Sequence, residues 1–292
     1  MDKVKVSIII PCFNSEHYIG ETLTYILNQS YSEWECLCID DGSTDNSISI
    51  VRDFISIDSR FKIFKRPSHM KKGGNSCRNY GFQLATGEYI QWFDSDDLMH
   101  EKMLEEKVKA LDRNSSVNYV VCHTGYFNND DSSKVVPYDQ NLNSTDFYFD
   151  YLTFKVKIFT PGPMFRKAFL DSMDLFNISL KRHQEKEFFF RIILRDKMFL
   201  VLDDIFVFRR MHEAQLSSSA NSSSNKLKME FYANKINYRS FVFSDLSDSK
   251  VLSYFRGFFL RYTYRLFREG KILISVKCFM VYLQSLLKIA VF

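Results

Sequence analysis

The sequence predicts an α/β chain: a mainly parallel central sheet with helices on both faces, followed by a C-terminal helical extension. Three observations carry that expectation. Over the first hundred residues, short β-branched or aromatic runs alternate with amphipathic runs of helical length, the pattern of strands joined by crossover helices. The strand-like runs are apolar throughout, as strands buried on both faces are. The last 43 residues change character, with helical periodicity and eight Lys/Arg against one acid.

Taken in order, "VKVSIII" is a first strand closed by Pro11, and Asn14 and Ser15 stand where they would cap a helix. That helix keeps Tyr18, Ile19, Thr22, Leu23, Ile26 and Leu27 on one face. "WECLCI" is a second strand, and "DDGSTDNS" a turn that caps a helix with inner face Ile48, Val51, Phe54 and Ile55. "FKIF", "NSCRNYGFQLA" and "EYIQWF" follow as strand, helix and strand. Beyond them, "EKMLEEKVKAL" reads as a helix, "NYVVCHTGYF" as a strand and "NNDDSS" as an exposed loop. "FTPGPMFRKAFL" reads as a loop shaped by two prolines and a glycine before a helical run, and "SSSANSSS" (217–224) as a linker. The tail forms two helices broken near Gly270. In the first, Phe255, Phe258, Phe259, Tyr262 and Leu266 share one face and Arg261, Arg265 and Arg268 another; in the second, Lys277, Gln284 and Lys288 form a polar stripe. There is no internal repeat and no apolar run long enough to span a bilayer.

At 292 residues, 46% apolar and 25% charged, the composition is that of a globular protein. The net charge of +4 divides into +7 on the last 43 residues and −3 on the rest. That excludes a basic nucleic-acid-binding body and directs any anionic partner to the tail. The six cysteines lie in apolar runs without metal-type spacing, so free thiols in a reducing compartment are expected. The N-terminal apolar run is too short for a signal peptide. A cytoplasmic location follows as the expectation.

The strand reading sets Asn14, then Asp40 and Asp41, then Asp94, Asp96 and Asp97 at carboxyl ends of strands, the edge along which open parallel sheets bind ligands. An Asp-x-Asp there can supply hard oxygen ligands to Mg²⁺ or Mn²⁺ and leave positions for substrate phosphates. The competing reading of "DSDD" is a solvated turn, with Asp97 capping the next helix. "DDGSTD" either accepts hydrogen bonds from a base or ribose, or merely makes a Gly-containing turn.

Together, "VSIIIPCFNSEHYIGETLTYILNQSYSEWECLCIDDGSTDNS" and "GGNSCRNYGFQLATGEYIQWFDSDD", resumed at "QEKEFFFRI" and "FRRMHEAQLS", resemble the family 2 inverting glycosyltransferases of the GT-A fold. The resemblance implies transfer of a sugar from a nucleotide-sugar donor, a UDP-sugar first, to a hydroxyl of a saccharide or lipid-linked acceptor in cell-surface polysaccharide synthesis. It implies that Pro11, Asn14 and Asp41, with Asp40 beside them, line the nucleotide pocket, and that Arg78 lies near the nucleotide and Lys72 near a phosphate. Asp96 matches the principal ligand of a Mn²⁺ or Mg²⁺ cofactor, with Asp94 its partner at ribose or metal. His212 and Arg210 match a basic segment that approaches the metal or the diphosphate, the alternative being that His212 is a surface residue before the linker. The other five histidines have no such match. The family's Glu-Asp pair, whose Asp is the base, is here Gln184-Glu185. This departure shifts the carboxylate by roughly an ångström where positioning sets rate. Glu185 is the expected base and Glu187 a solvated helix residue.

The resemblance thus divides the chain into a nucleotide-sugar-binding half (1–110), an acceptor and catalytic-base half (111–216), and a linker with basic aromatic helices (217–292). Those helices either pack on the catalytic domain or rest on an anionic membrane surface, which would make the chain peripheral at the inner face of the cell membrane. The Gln184-Glu185 departure also motivates the alternative of a catalytically inactive nucleotide-sugar-binding partner subunit. A nucleotidyltransferase is disfavoured, because "PCFNSEHYIG" stands where a Gly-rich, Lys/Arg-bearing loop would follow the first strand.

Overall fold

The computed structural model describes residues 5–128, 134–212, 223–244 and 246–287, with the side chains of 223–226 left aside. The elements in chain order are β1 (Val6–Cys12), α1 (Ile19–Leu27), β2 (Trp34–Asp40), α2 (Ser47–Ile57), β3 (Phe61–Lys65), α3 (Gly74–Leu84), β4 (Tyr89–Trp92), β5 (Leu98–Met99), α4 (Met103–Arg113), β6 (Tyr119–Asn128) and β7 (Val136–Pro137). They continue with α5 (Phe147–Leu152), β8 (Pro163–Arg166), α6 (Lys167–Leu170), α7 (Gln184–Arg195), β9 (Leu200–Met211), α8 (Ser223–Phe243), α9 (Ser249–Arg268) and α10 (Ile272–Leu286).

The chain forms two compact units, one of residues 1–140, 158–178 and 198–219, the other of 141–157, 179–197 and 220–292. They cut across the 1–110, 111–216 and 217–292 division, because α5 and α7 pack with the C-terminal helices. The linker expected at 217–224 and the "NNDDSS" loop fall largely outside the described residues, as does Lys288.

Among the described residues all nine strands belong to the first unit, in the order β3-β2-β1-β4-β8-β6-β9-β5, with β7 pairing β6. The half built from β3, β2, β1 and β4 is parallel. Beyond β4 the sheet is mixed: β8 is antiparallel to both β4 and β6, and β9 runs parallel to β6. The apolar strands carry the fold. Ile8, Ile9 and Ile10 are fully buried, and Trp34, Phe61, Tyr89 and Met103 join one continuous core with Ile8 and Ile10. Helix α3 packs on β1 and β2, and α4 on β6 and β9.

Several local expectations change. The segment "FTPGPMF" contributes a central strand, β8, and the run behind it is only the single turn α6; Pro163 can open a strand because it sits at its first position. Asn14 and Ser15 do not cap α1, which starts at Ile19 without a side-chain cap. Asp97 does not cap α4, which starts at Met103 behind Lys102. Five elements were not foreseen: the two-residue strands β5 and β7, the helices α5 and α8, and the long β9.

The second unit is an aromatic helical cluster in which Phe190, Tyr238, Phe255 and Phe259 are buried, with Tyr238 edge-on to both Phe255 and Phe259. The expected break stands at Gly270, whose φ of +71° ends α9; glycine adopts that left-handed conformation without strain. Phe255, Phe258, Phe259, Tyr262 and Leu266 are buried on α9, as their shared face implied. No described helix is long and apolar enough to cross a membrane. All six cysteines are buried free thiols.

Candidate active site

The carboxyl ends of β2 and β4 deliver the acids and that of β1 delivers Asn14, and a short antiparallel pairing brings a basic segment to them. β5 follows Asp94–Asp97 directly and pairs with β9 as Leu98 with Phe208 and Met99 with Val207. Antiparallel pairing carries residues before Leu98 toward residues after Phe208. The result is a cluster. The Arg210 backbone N–H donates to Asp97 Oδ1 at 3.1 Å and its Nε to the Asp96 carbonyl at 3.2 Å, while its guanidinium pairs with Glu21. His212 Nε2 lies 2.9 Å from Asp96 Oδ2. From the other side, Thr22 Oγ1 on α1 donates to the carbonyls of Ser95 (3.1 Å) and Asp97 (2.9 Å), so the acidic turn is held at both flanks.

The carboxylates divide their partners. Asp40 accepts from the backbone N–H groups of Gly42 and Ser43 at 3.1 and 2.9 Å. Asp41, buried, pairs with the Arg66 guanidinium. Asp94 accepts from Arg78 Nη2 at 2.7 Å, and that guanidinium stands 5.3 Å from the Phe176 ring centroid. Asp97 is buried; burial first, and then the charge of Asp96, push its carboxyl well above the usual carboxylate range. Its function is therefore to pin β9 through Arg210, where the sequence suggested a cap.

Pro11, Asn14 and Lys72 lie along the same edge of the first unit. Pro11 pairs with Ile39 inside β1 and does not close it as the sequence suggested, since the strand runs on to Cys12 opposite Asp40. Asn14 has a φ of +47°, and its Oδ1 accepts from the Thr44 N–H at 2.9 Å, tying the β1 and β2 loops together. The Lys72 ammonium sits 3.9 Å from the Phe13 ring centroid. Glu185 occupies the first turn of α7 in the second unit, its carbonyl accepting from the Tyr151 hydroxyl at 3.3 Å. Glu187 is not solvated: it is buried and pairs with Arg191, one turn on, at 2.5 Å.

Sequence reasoning missed Arg66, Glu21 and Tyr18. Arg66 follows β3, so the rule that singled out the ends of the other parallel strands would have found it. Tyr18 packs against His212 with the rings tilted and their centroids 4.5 Å apart, and it lies 5.3 Å from the Arg210 guanidinium; nothing in the local pattern distinguishes it from a core residue.

The donor set fits a hard divalent cation. Two ligands at right angles, each about 2.1 Å from Mg²⁺, lie about 3 Å apart, close to the Asp96–His212 separation of 2.9 Å. His212 Nδ1 is buried and finds no hydrogen-bond partner among the described residues, an orphaned polar atom beside the donor pair. No group of three or more His, Cys, Asp or Glu is assembled to hold an ion among those residues. The described residues therefore offer two donors, and substrate oxygens and water would complete the coordination.

Residues 7–172 match the family model described as Glycosyl transferase family 2. The chain belongs to that family. A Haemophilus influenzae protein described as an uncharacterized glycosyltransferase is 39% identical over 126 residues, 42% of this chain and 50% of that one. The Escherichia coli UDP-Glc:alpha-D-GlcNAc-diphosphoundecaprenol beta-1,3-glucosyltransferase WfgD is 36% identical over 115 residues, 39% of this chain and 44% of that one. The glycosyltransferase chain thus spans half or less of the length of these curated relatives. Its fold is that of S. aureus TarS, solved in complex with UDP-GlcNAc: TM-score 0.71 at 20% identity, covering 96% of this chain and 79% of that one.

Proposed function

We propose that this family 2 glycosyltransferase is a metal-dependent inverting enzyme that moves a sugar from a UDP-sugar to a hydroxyl of a saccharide or lipid-linked acceptor, in cell-surface polysaccharide synthesis. The observation that carries the reading is the Asp96–His212 pair at the carboxyl edge of the sheet, two metal-competent donors 2.9 Å apart. The relative that uses UDP-Glc and a diphosphoundecaprenol-linked acceptor and the fold neighbour bound to UDP-GlcNAc support the donor and the acceptor class.

In this reading Asp96 and His212 hold Mn²⁺ or Mg²⁺, with Asp94 nearby. When bound, the ion offsets charge that develops on the leaving diphosphate. Pro11, Asn14, Asp40 and Asp41 form the nucleotide end, Arg66 fixing the Asp41 carboxylate. Arg78 orients Asp94, while Lys72 and Arg210 add positive charge toward the phosphates. Glu185 takes the acceptor hydroxyl's proton as its oxygen attacks the anomeric carbon on the face opposite the diphosphate, so the C–O bond to the diphosphate breaks as the new one forms, with inversion. The chain works in the cytoplasm, peripheral at the inner face of the cell membrane through 250–292.

The test is nucleotide release from UDP- and GDP-sugars with and without a chelator. Release should require Mn²⁺ or Mg²⁺ and fall by at least about 10²-fold in Asp96→Asn and Glu185→Gln, with UDP binding kept in Glu185→Gln. Full activity of either variant sinks its assignment. The Gln184-Glu185 departure favours one second reading, a catalytically inactive nucleotide-sugar-binding subunit; UDP binding without turnover across donors and acceptors would select it.

A further inference from the structure

Helix α10 wears its amphipathicity inside out. The face it turns inward is small and partly polar: Ser275, Cys278, Val281 and Ser285 are buried. Ser275 Oγ donates to the Thr263 carbonyl at 2.8 Å and Cys278 Sγ to the Phe259 carbonyl at 3.2 Å, which fastens the helix along α9. The outward face is apolar. Ile272, Leu273, Val276, Met280, Leu283 and Leu287 are all exposed, Leu273 to 81% and Leu287 to 71%. At 3.6 residues per turn these positions fall on one side of the helix, with Lys277 and Gln284 along its edge. A helix facing only water carries the opposite arrangement, and a contiguous apolar surface of this kind marks an interaction site.

Charge identifies what covers it. Residues 249–287 contain seven Lys/Arg and one acid, Glu269, and Glu269 is engaged by Arg265 at 3.3 Å and by Lys271. Lys277 is exposed at the edge of the apolar surface, and Arg261 and Arg268 are exposed on α9. A second copy docked face to face would bring like charges together, whereas anionic headgroups complement them. The 15 residues of α10 span about 22 Å at 1.5 Å per residue, short of the roughly 30 Å hydrocarbon core. We infer that α10 lies in the plane of an anionic bilayer, its outward leucine-rich face in the acyl boundary and Lys277 at headgroup level. This deepens the peripheral placement proposed above: α9 is committed to the protein core, and α10 is the docking element.

Flotation of the full chain with vesicles of phosphatidylcholine, with or without phosphatidylglycerol, tests it. Wild type should float with the anionic vesicles and release as salt rises. Leu273→Ser/Val276→Ser should bind at least about tenfold more weakly, and Lys277→Glu should lose the preference for phosphatidylglycerol. Both should melt as wild type does, since these side chains are exposed. Wild type that stays unbound, or a serine variant that binds equally well, overturns the inference. So does a wild-type dimer in sedimentation that the serine variant converts to monomer, because a second copy then covers the face. Vesicle binding with no sugar transfer upholds the docking and rejects the transferase reading; transfer without vesicle binding does the reverse.

Discussion

Gly81 sets how closely α3, and with it Arg78, approaches the sheet. A methyl at this position would run into Ile9 Cγ2 and press Ile39 Cγ1 at 3.2 Å, where carbon atoms settle at about 3.5–4.0 Å. Ile9 cannot retreat: it is fully buried in β1 between β2 and β4. Gly81→Ala must therefore lift α3 by the order of an ångström, an overpacking cost of about 1–3 kcal/mol against about 0.5–1 kcal/mol returned by alanine's helix propensity. The net loss of about 1–2 kcal/mol should lower Tm by roughly 3–6 °C. Because Arg78 lies one turn earlier on α3, its 2.7 Å contact with Asp94 shifts too, and KM for the nucleotide sugar should rise several-fold. Gly20→Ala is the control: its methyl would meet only Ile50 Cγ2 at an ordinary 3.5 Å, so helix propensity alone acts and Tm should hold or rise by about 1–2 °C. Calorimetry and initial-rate kinetics on both variants decide the matter. Gly81→Ala with unchanged Tm and KM would refute the close-packing argument.

Two further outcomes follow from buried charges. Burial lowers the Lys186 ammonium to about 8 from its ordinary 10.5, so the unfolded chain binds more protons between those values; relative to Lys186→Met, wild type should gain about 1.4 kcal/mol per pH unit from about pH 8 upward, measured by urea unfolding, and parallel curves would rule this out. Arg66→Met leaves the Asp41 carboxylate buried and unpaired, at a cost of about 3 kcal/mol, and adding Asp41→Asn should recover much of it; strict additivity of the two would show that the pair is not coupled.

The parallel half of the sheet was legible because strands buried on both faces write apolar runs, and the crossover helices between them write an amphipathic period. The same logic placed Asp40, Asp41, Asp94 and Asp96 at strand ends. What escaped it depended on distant partners. A two-residue strand such as β5 has no periodicity of its own, so nothing local announces that Asp97 meets Arg210, 113 residues on. β8 was hidden by its prolines. Glu187 is the instructive miss, since Arg191 at i+4 was in plain view; what the string did not show is that α7 is buried on the side carrying the pair.

The partners of the acids explain why one of them is the metal candidate. Arginine holds Asp41 and Asp94, and a guanidinium has no lone pair to offer a cation. Asp40 is spent on the Gly42 and Ser43 N–H groups, and Asp97 on the Arg210 N–H. Asp96 faces a side chain that can ligate, the His212 imidazole. Replacing that hydrogen bond with a shared cation keeps both groups engaged, and it does so where Arg210 already closes the turn through the Asp96 carbonyl at 3.2 Å. The repulsion among three acids in four positions is thus relieved pairwise by fixed cations and N–H groups, and the one remaining pair is the one a divalent ion can join.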